Sequence, residues 1–203
     1  IGDRAFSDNI DEVIKFSSSF IDGMKEAGMR SSGKHFPGHG GIYEDSHIER
    51  SIDKRSLDTL LNSDIRPYIA LKNKIDLIMC AHIIFPEIDK NIPSFSKIWI
   101  KDILKNTLQY DGLIVSDDLS MCGAGNESSS TKVKKSLDAG CDMVIICNDR
   151  QAVINVLNFF DENNIQTSSK ISKVKKTSNI DWNELQNSSR AINIKKILNK
   201  IKC

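Results

Sequence analysis

Three continuous apolar runs, each closed by a polar residue, limit what this chain can fold into: Leu77 to Ala81 before His82, Leu113 to Val115 before Ser116-Asp117, and Met143 to Cys147 before Asn148. Runs that do not alternate with polar residues belong to strands buried on both faces, the mark of a parallel sheet covered by helices. A fourth, shorter strand is predicted to carry Lys34-His35-Phe36. Between the strands the spacing is helical. Asp8 is placed to cap a helix through Ile10, Val13, Ile14, Phe20, Ile21 and Met24, with Gly28 as its stop. Ser56 to Lys72 reads as two short helices, since Pro67 suits only a first turn. Ser96 caps a helix through Leu108; Lys134 to Ala139, ended by Gly140, and Gln151 to Phe160 supply two more. His35, His82, Asp117 and Asn148 then all stand at strand C-terminal ends. A doubly wound sheet satisfies the alternation too, but this convergence favours an α/β barrel of the (β/α)8 type, which gathers its active site there.

Four strands are half of the eight in a closed barrel, so the expectation is an N-terminally truncated C-terminal half to two-thirds of one. The missing strands would be supplied by upstream sequence; the chain opens on Ile1, and Gly2 to Phe6 read like a loop following a strand. Residues 1–160 are expected to be the barrel part. Residues 161–203, rich in Ser, Asn and Lys, are expected to form a peripheral tail with one amphipathic helix from Ser188 to Ile201.

Charge narrows the function classes. Lys+Arg 28 against Asp+Glu 27 gives a net charge of +1, leaving no global field for nucleic acid or an anionic membrane. No stretch approaches the roughly 20 apolar residues of a membrane span, and no signal-like start is present. The five cysteines are odd in number and have no metal-binding spacing; they read as reduced core thiols of a cytoplasmic protein.

Three of the four histidines fall between Gly33 and His47, within Gly33-Lys34-His35-Phe36-Pro37-Gly38-His39-Gly40 and Asp45-Ser46-His47. With Asp117 they suit hydrolysis of a glycosidic bond with retention. That route needs one carboxylate to attack the anomeric carbon and a second group to protonate the leaving oxygen and later deprotonate water. Asp117 at a strand end fits the first role, with Asp118 turned into the surrounding hydrogen bonds. Two adjacent acids also suit a helix cap or a magnesium site. His47 near Asp45 fits the second role, since a carboxylate orients an imidazole; an exposed loop histidine is the alternative. Lys34 and His35 suit sugar hydroxyls, or His35 is a core histidine. His39 braces a loop, and His82 lines the floor or bonds to the chain. A zinc site of His35, His39 and His47 is disfavoured because Pro37 forbids a helix between the first two. Gly38, Gly40 and Gly41 lack the remainder of a phosphate-binding loop.

Lys34 to Gly40, Asp45-Ser46-His47 and Ser116-Asp117-Asp118-Leu119-Ser120-Met121 resemble the bacterial β-N-acetylhexosaminidases of glycoside hydrolase family 3. The resemblance extends through Gly2 to Phe6, Phe20 to Met24 and Ser136 to Met143. It implies a (β/α)8 barrel that removes terminal N-acetylglucosamine from muropeptide fragments or chitooligosaccharides in cytoplasmic cell-wall recycling, with retention and without cofactor or metal. It further implies Asp117 as nucleophile, His47 as acid/base, Asp45 as its partner, and Arg4, Lys34 and His35 as sugar contacts. Asp45-Ser46-His47 marks the N-acetylglucosaminidase branch, against a β-glucosidase of the same family that lacks that histidine. The family's first strands and its Asp-x-Glu-Gly-Gly segment do not occur in this sequence, so a catalytically silent half-barrel serving in assembly is the rival expectation. An isolated fragment of this kind would be poorly active or aggregate.

Overall fold

In the computed structural model the apolar runs pair as neighbouring parallel strands. The structure describes residues 2–42, 51–175, 177 and 181–201. After a 3-10 turn over Gly2–Arg4 come helix α1 (Ile10–Glu26) and strand β1 (Ser32–Phe36). Then follow β2 (Ser51–Ile52), α2 (Leu57–Asn62), α3 (Arg66–Leu71), β3 (Leu77–Cys80) and β4 (Ile83–Ile84). A π-helix over Ile98–Thr107 precedes β5 (Leu113–Asp118), α4 (Ser129–Ala139), β6 (Met143–Ile145) and α5 (Arg150–Glu162). The last helices are α6 (Trp182–Asn187) and α7 (Ser189–Leu198).

The sheet order is β1-β3-β5-β6, all parallel, with helices between successive strands. This is the α/β alternation of a (β/α)8-type barrel, in part. Register sets Phe36 beside Cys80 and Cys80 beside Ser116, so the C-terminal ends of β1, β3 and β5 finish at one level. Beyond that level β2 and β4 form a short parallel pair, and the Asp53 N–H continues it to the Ile84 carbonyl at 2.9 Å.

Most of the core lies between the sheet and α2, α3 and the π-helix. Trp99, fully buried, meets Phe36 and Phe85 edge-on at centroid distances of 5.9 and 5.2 Å, and Tyr68 meets Phe36 at 5.3 Å. Ile78, Ile114, Leu60 and Leu104 fill the space around them. A second cluster joins Leu119, Val133 and Val156 under α4 and α5.

Several elements differ from expectation. Asn9, not Asp8, caps α1: its side chain accepts from the N–H groups of Asp11 and Glu12. Of the apolar residues of α1 only Ile21 is buried, with Ile14 packed beside it; Phe20 lies on another side, against Phe6 at 5.7 Å. Ser96 does receive the Trp99 N–H, but the helix it starts is wound wide, with the Leu108 N–H bonding back to Ile103. The expected tail helix is present as α7, capped by the Ser188 hydroxyl, and α6 precedes it as a helix that was not expected. Gly140 ends α4 as expected, with φ 117, where both its N–H bonds need a left-handed backbone. No helix among the described residues is long and apolar enough to cross a membrane.

The N-terminal ends of the strands are fastened by carboxylates. Asp76 accepts from the Ser31 N–H and hydroxyl at 2.9 and 3.0 Å and from Arg30. Asp142 accepts from the Ile114 N–H at 3.0 Å and from the Ser168 hydroxyl. The segment after α5 crosses this end, where Lys170 donates to the carbonyl of Gly112 and the Thr177 N–H to that of Gly28.

Candidate active site

At the opposite end β1 and β5 bring His35 and Asp117 together. His35 Nε2 stands 3.7 Å from Asp117 Oδ2, beyond hydrogen-bond length, with both side chains about one-eighth exposed at 12% and 13%. Asp117 is held through its other oxygen: Oδ1 accepts the Asp118 N–H at 2.8 Å. One carboxylate oxygen is therefore tied to the strand while the other faces the imidazole.

Asp118 supports the strand end. Its Oδ1 accepts from the N–H groups of Ser120 and Cys147, both at 2.9 Å, and Oδ2 from the Ser120 hydroxyl at 2.7 Å. Burial works against its ionisation, but these donors outweigh burial and hold the carboxyl below its ordinary value. The bond to Cys147 ties the end of β5 to the end of β6, as does the Ile145 N–H on the Ser116 hydroxyl.

His35 is pulled down to about 4, chiefly by burial; Asp117 opposes this, while Lys34, His39 and Arg4 add to it. It is therefore a neutral imidazole near pH 7, a hydrogen-bonding group rather than a counter-ion. Lys34 is exposed, and His39 packs edge-on against His35 at 5.7 Å. Arg4 is close enough for its charge to act on His35. Asp45 and His47 lie outside the described residues. Among the described residues no three metal-ligating side chains converge.

The cysteines depart from expectation. Cys80 and Cys141 are buried, but Cys122, at the start of the 3-10 turn Cys122–Ala124, is exposed and Cys147 half-buried. None of these four forms a disulfide.

Two features escaped the sequence reading. Arg55 donates to both oxygens of the buried Asp53, at 2.7–3.0 Å, and through Nη1 to Asp64 at 2.6 Å. The glycine turn sits on this cluster. A Cβ on Gly41 would stand 2.2 Å from Arg55 Nη2, and one on Gly38 2.3 Å from Asp64. Asp53-x-Arg55 was the available signal. The other feature is Lys132, buried on α4, whose ammonium donates to the Leu119 carbonyl at 2.9 Å just past Asp117-Asp118.

The imidazoles give the fold an acid weakness. His82 is also lowered to about 4, mainly by burial, with Asp117 and Asp118 opposing. Between the ordinary 6.5 and about 4 both histidines bind fewer protons folded than unfolded. Stability should be full above that window and fall as pH drops through it. Asp53 and Asp118, both lowered from 3.8, lose their contribution only below that value. Urea unfolding should show a lower midpoint at pH 4.5 than at pH 7; equal midpoints would contradict the two buried neutral imidazoles.

The chain is similar to known proteins over most of its length. The family described as glycosyl hydrolase family 3 N terminal domain matches residues 1–177. A beta-hexosaminidase from Idiomarina loihiensis is 48% identical over 158 residues, covering 77% of this chain and 48% of its own length. One from Haemophilus influenzae is 41% identical over 198 residues, covering 94% of this chain and 56% of its own. The chain thus spans about half the length of the curated relatives it matches. Among solved structures, native NagZ from Neisseria gonorrhoeae superposes with a TM-score of 0.85 at 31% identity, covering 97% of this chain and 58% of that one. The same protein in complex with N-trifluoroacetyl-D-glucosamine gives 0.84 at 29% identity, with the same coverage.

Proposed function

The chain belongs to glycosyl hydrolase family 3, and we propose that it supplies the catalytic end of a retaining β-N-acetylhexosaminidase. The observation that carries this reading is the 3.7 Å approach of His35 to Asp117, with one carboxylate oxygen tied to its own strand and the other turned to the imidazole. A nucleophile held in this way loses little freedom on reaching the transition state.

In this reading an Asp117 oxygen attacks the anomeric carbon as the bond to the aglycone oxygen breaks, and His47 delivers the proton to that oxygen. His47, now neutral, takes a proton from water, which attacks the glycosyl-enzyme and releases the sugar with retained configuration. Asp45 orients the imidazole. Neutral His35, with Lys34 and Arg4, binds the sugar hydroxyls. The substrate is a terminal N-acetylglucosamine on a muropeptide or chitooligosaccharide, met in the cytoplasm, and the barrel part of the chain is residues 1–160. Support comes from the beta-hexosaminidases it resembles and from the Asp45-Ser46-His47 element.

The test is substrate choice in the full-length protein: 4-nitrophenyl N-acetyl-β-glucosaminide should be hydrolysed far faster than the β-glucoside, and a preference for the glucoside would sink the reading. His47→Ala should reduce kcat/KM by about 10²–10⁴-fold for an alkyl aglycone that needs its oxygen protonated. The loss should be much smaller for a dinitrophenyl aglycone. Equal losses on both would remove His47 from the acid role.

A further inference from the structure

Lys132, on α4, is the only lysine or arginine buried among the described residues, at 7% exposed. A lysine is seldom buried without a charged partner, because its ammonium gives up water for little return. Lys132 directs its bond to a neutral group instead: Nζ donates to the Leu119 carbonyl at 2.9 Å. Glu127, the last acid before α4 in sequence, pairs with Lys135 at 2.6 Å. A methionine of similar length would fill the same space with no charge to desolvate. The packing of α4 therefore does not require an ammonium, whereas the buried carbonyl requires a donor.

That carbonyl belongs to the peptide group joining Leu119 to Ser120, and the N–H of the same group donates to Asp118 Oδ1 at 2.9 Å. One peptide plane is thus held at its oxygen by α4 and at its nitrogen by the carboxylate at the end of β5. Asp118 also takes the Ser120 hydroxyl at 2.7 Å and the Cys147 N–H at 2.9 Å, and its own N–H donates to Asp117 Oδ1 at 2.8 Å. The preceding peptide group is fixed as well, by the Leu119 N–H on the Ile145 carbonyl at 2.9 Å. Every link from the ammonium to the Asp117 carboxylate is a hydrogen bond or a covalent bond of the chain. Leu119 is itself 2% exposed and packed with Val133 and Val156, so little water can take the place of the ammonium.

We propose that Lys132 is a positioning residue for the strand end that carries Asp117: by holding the Leu119–Ser120 peptide against Asp118, it fixes the backbone from which the Asp117 carboxylate is aimed. This deepens the reading of Asp117 as nucleophile and rests on it. A lysine that served stability alone would raise the melting temperature and leave turnover per folded molecule unaffected.

The experiment compares Lys132→Met, Lys132→Arg and Val133→Ala in the full-length protein. It measures kcat/KM on 4-nitrophenyl and 2,4-dinitrophenyl N-acetyl-β-glucosaminides, well below the melting temperature of each variant, with thermal melts in parallel. Lys132→Met should lose about tenfold on both substrates, because a misplaced nucleophile slows attack whichever aglycone leaves. Lys132→Arg keeps a charged donor and should recover most of that loss. Val133→Ala opens the same apolar cluster without touching the Leu119 carbonyl, and should lower the melting temperature with the activity of the folded protein unchanged. A folded Lys132→Met as active as the parent overturns the proposal, as does Lys132→Arg impaired as far as Lys132→Met, or Val133→Ala impaired alike. If Lys132→Met does not fold, Lys132→Gln is measured in its place, and failure of both to fold makes the residue structural and overturns the proposal too. Asp117→Asn runs beside them. If it stays active the nucleophile assignment fails and this proposal with it, whereas an inactive Asp117→Asn beside a fully active Lys132→Met removes only the role of Lys132.

Discussion

Replacing Asp117 by Asn should lower hydrolysis of 4-nitrophenyl N-acetyl-β-glucosaminide by on the order of 10⁴-fold, since it removes the atom that forms the intermediate. The fold should survive. Among the described residues Asp117 accepts one hydrogen bond, from the Asp118 N–H, and the Asn amide oxygen can accept it in the same place. The strand end keeps its bracing from Asp118 and Ser116. The mechanism also predicts a change of product. In Asp117→Gly a small anion such as azide can occupy the space of the lost carboxylate and attack the anomeric carbon from the same side. The bond to the aglycone oxygen breaks as the carbon–nitrogen bond forms, giving the α-glycosyl azide, with configuration inverted in one displacement. Proton NMR of the product distinguishes it from the β-anomer. Retained activity in Asp117→Asn, or a β-azide from Asp117→Gly, would refute the assignment.

The second large effect belongs to Arg55. Replacing it with Met leaves Asp53, which is 4% exposed, and Asp64 without the cation that neutralises both. Removing one partner of such a buried set costs about 3–5 kcal/mol, far more than a surface ion pair contributes. Urea unfolding should show that loss, and adding Asp53→Asn and Asp64→Asn should recover much of it by removing the stranded charges. Catalysis should suffer as well. Arg55 touches the glycine turn that precedes residues 43–50 and bonds to Asp53, which follows them and is fixed to β4. The described residues on both flanks of Asp45-Ser46-His47 thus converge on one guanidinium. Misplacement by about 1 Å can cost on the order of 10²-fold in rate. The purified variant should lose kcat more than it gains KM, and an unfolding free energy equal to the parent's would show that the cluster is not load-sharing.

Strands β3, β5 and β6 were legible because each carries an unbroken apolar run whose closing polar residue marks its C-terminal end, whereas the two-residue β2 and β4 were too short to leave a pattern. Asp117 and His35 could be picked out for that reason. Arg55 was missed: Asp53-x-Arg55 hinted at a pair, but no spacing brings Asp64 to it, and the three meet through the chain's path around the glycine turn. Lys132 was hidden differently, since Thr131-Lys132-Val133-Lys134-Lys135 reads as a solvated helix face while Lys132 in fact reaches inward to the Leu119 carbonyl. Phe20 misled in the opposite sense. Its spacing matches the buried stripe of α1, yet it stands 59% exposed, because hydropathy records a side chain's character and not which neighbour it meets.

The carboxylates that begin the strands, Asp76 and Asp142, spend their hydrogen bonds on Ser31, Ile114, Arg30 and Ser168, at the end of the sheet away from Asp117. The strand starts are therefore fastened by residues that do not touch Asp117. A protein engineer seeking a hardier fold would begin at Asp76 and Asp142, where a gain in robustness leaves the proposed nucleophile undisturbed.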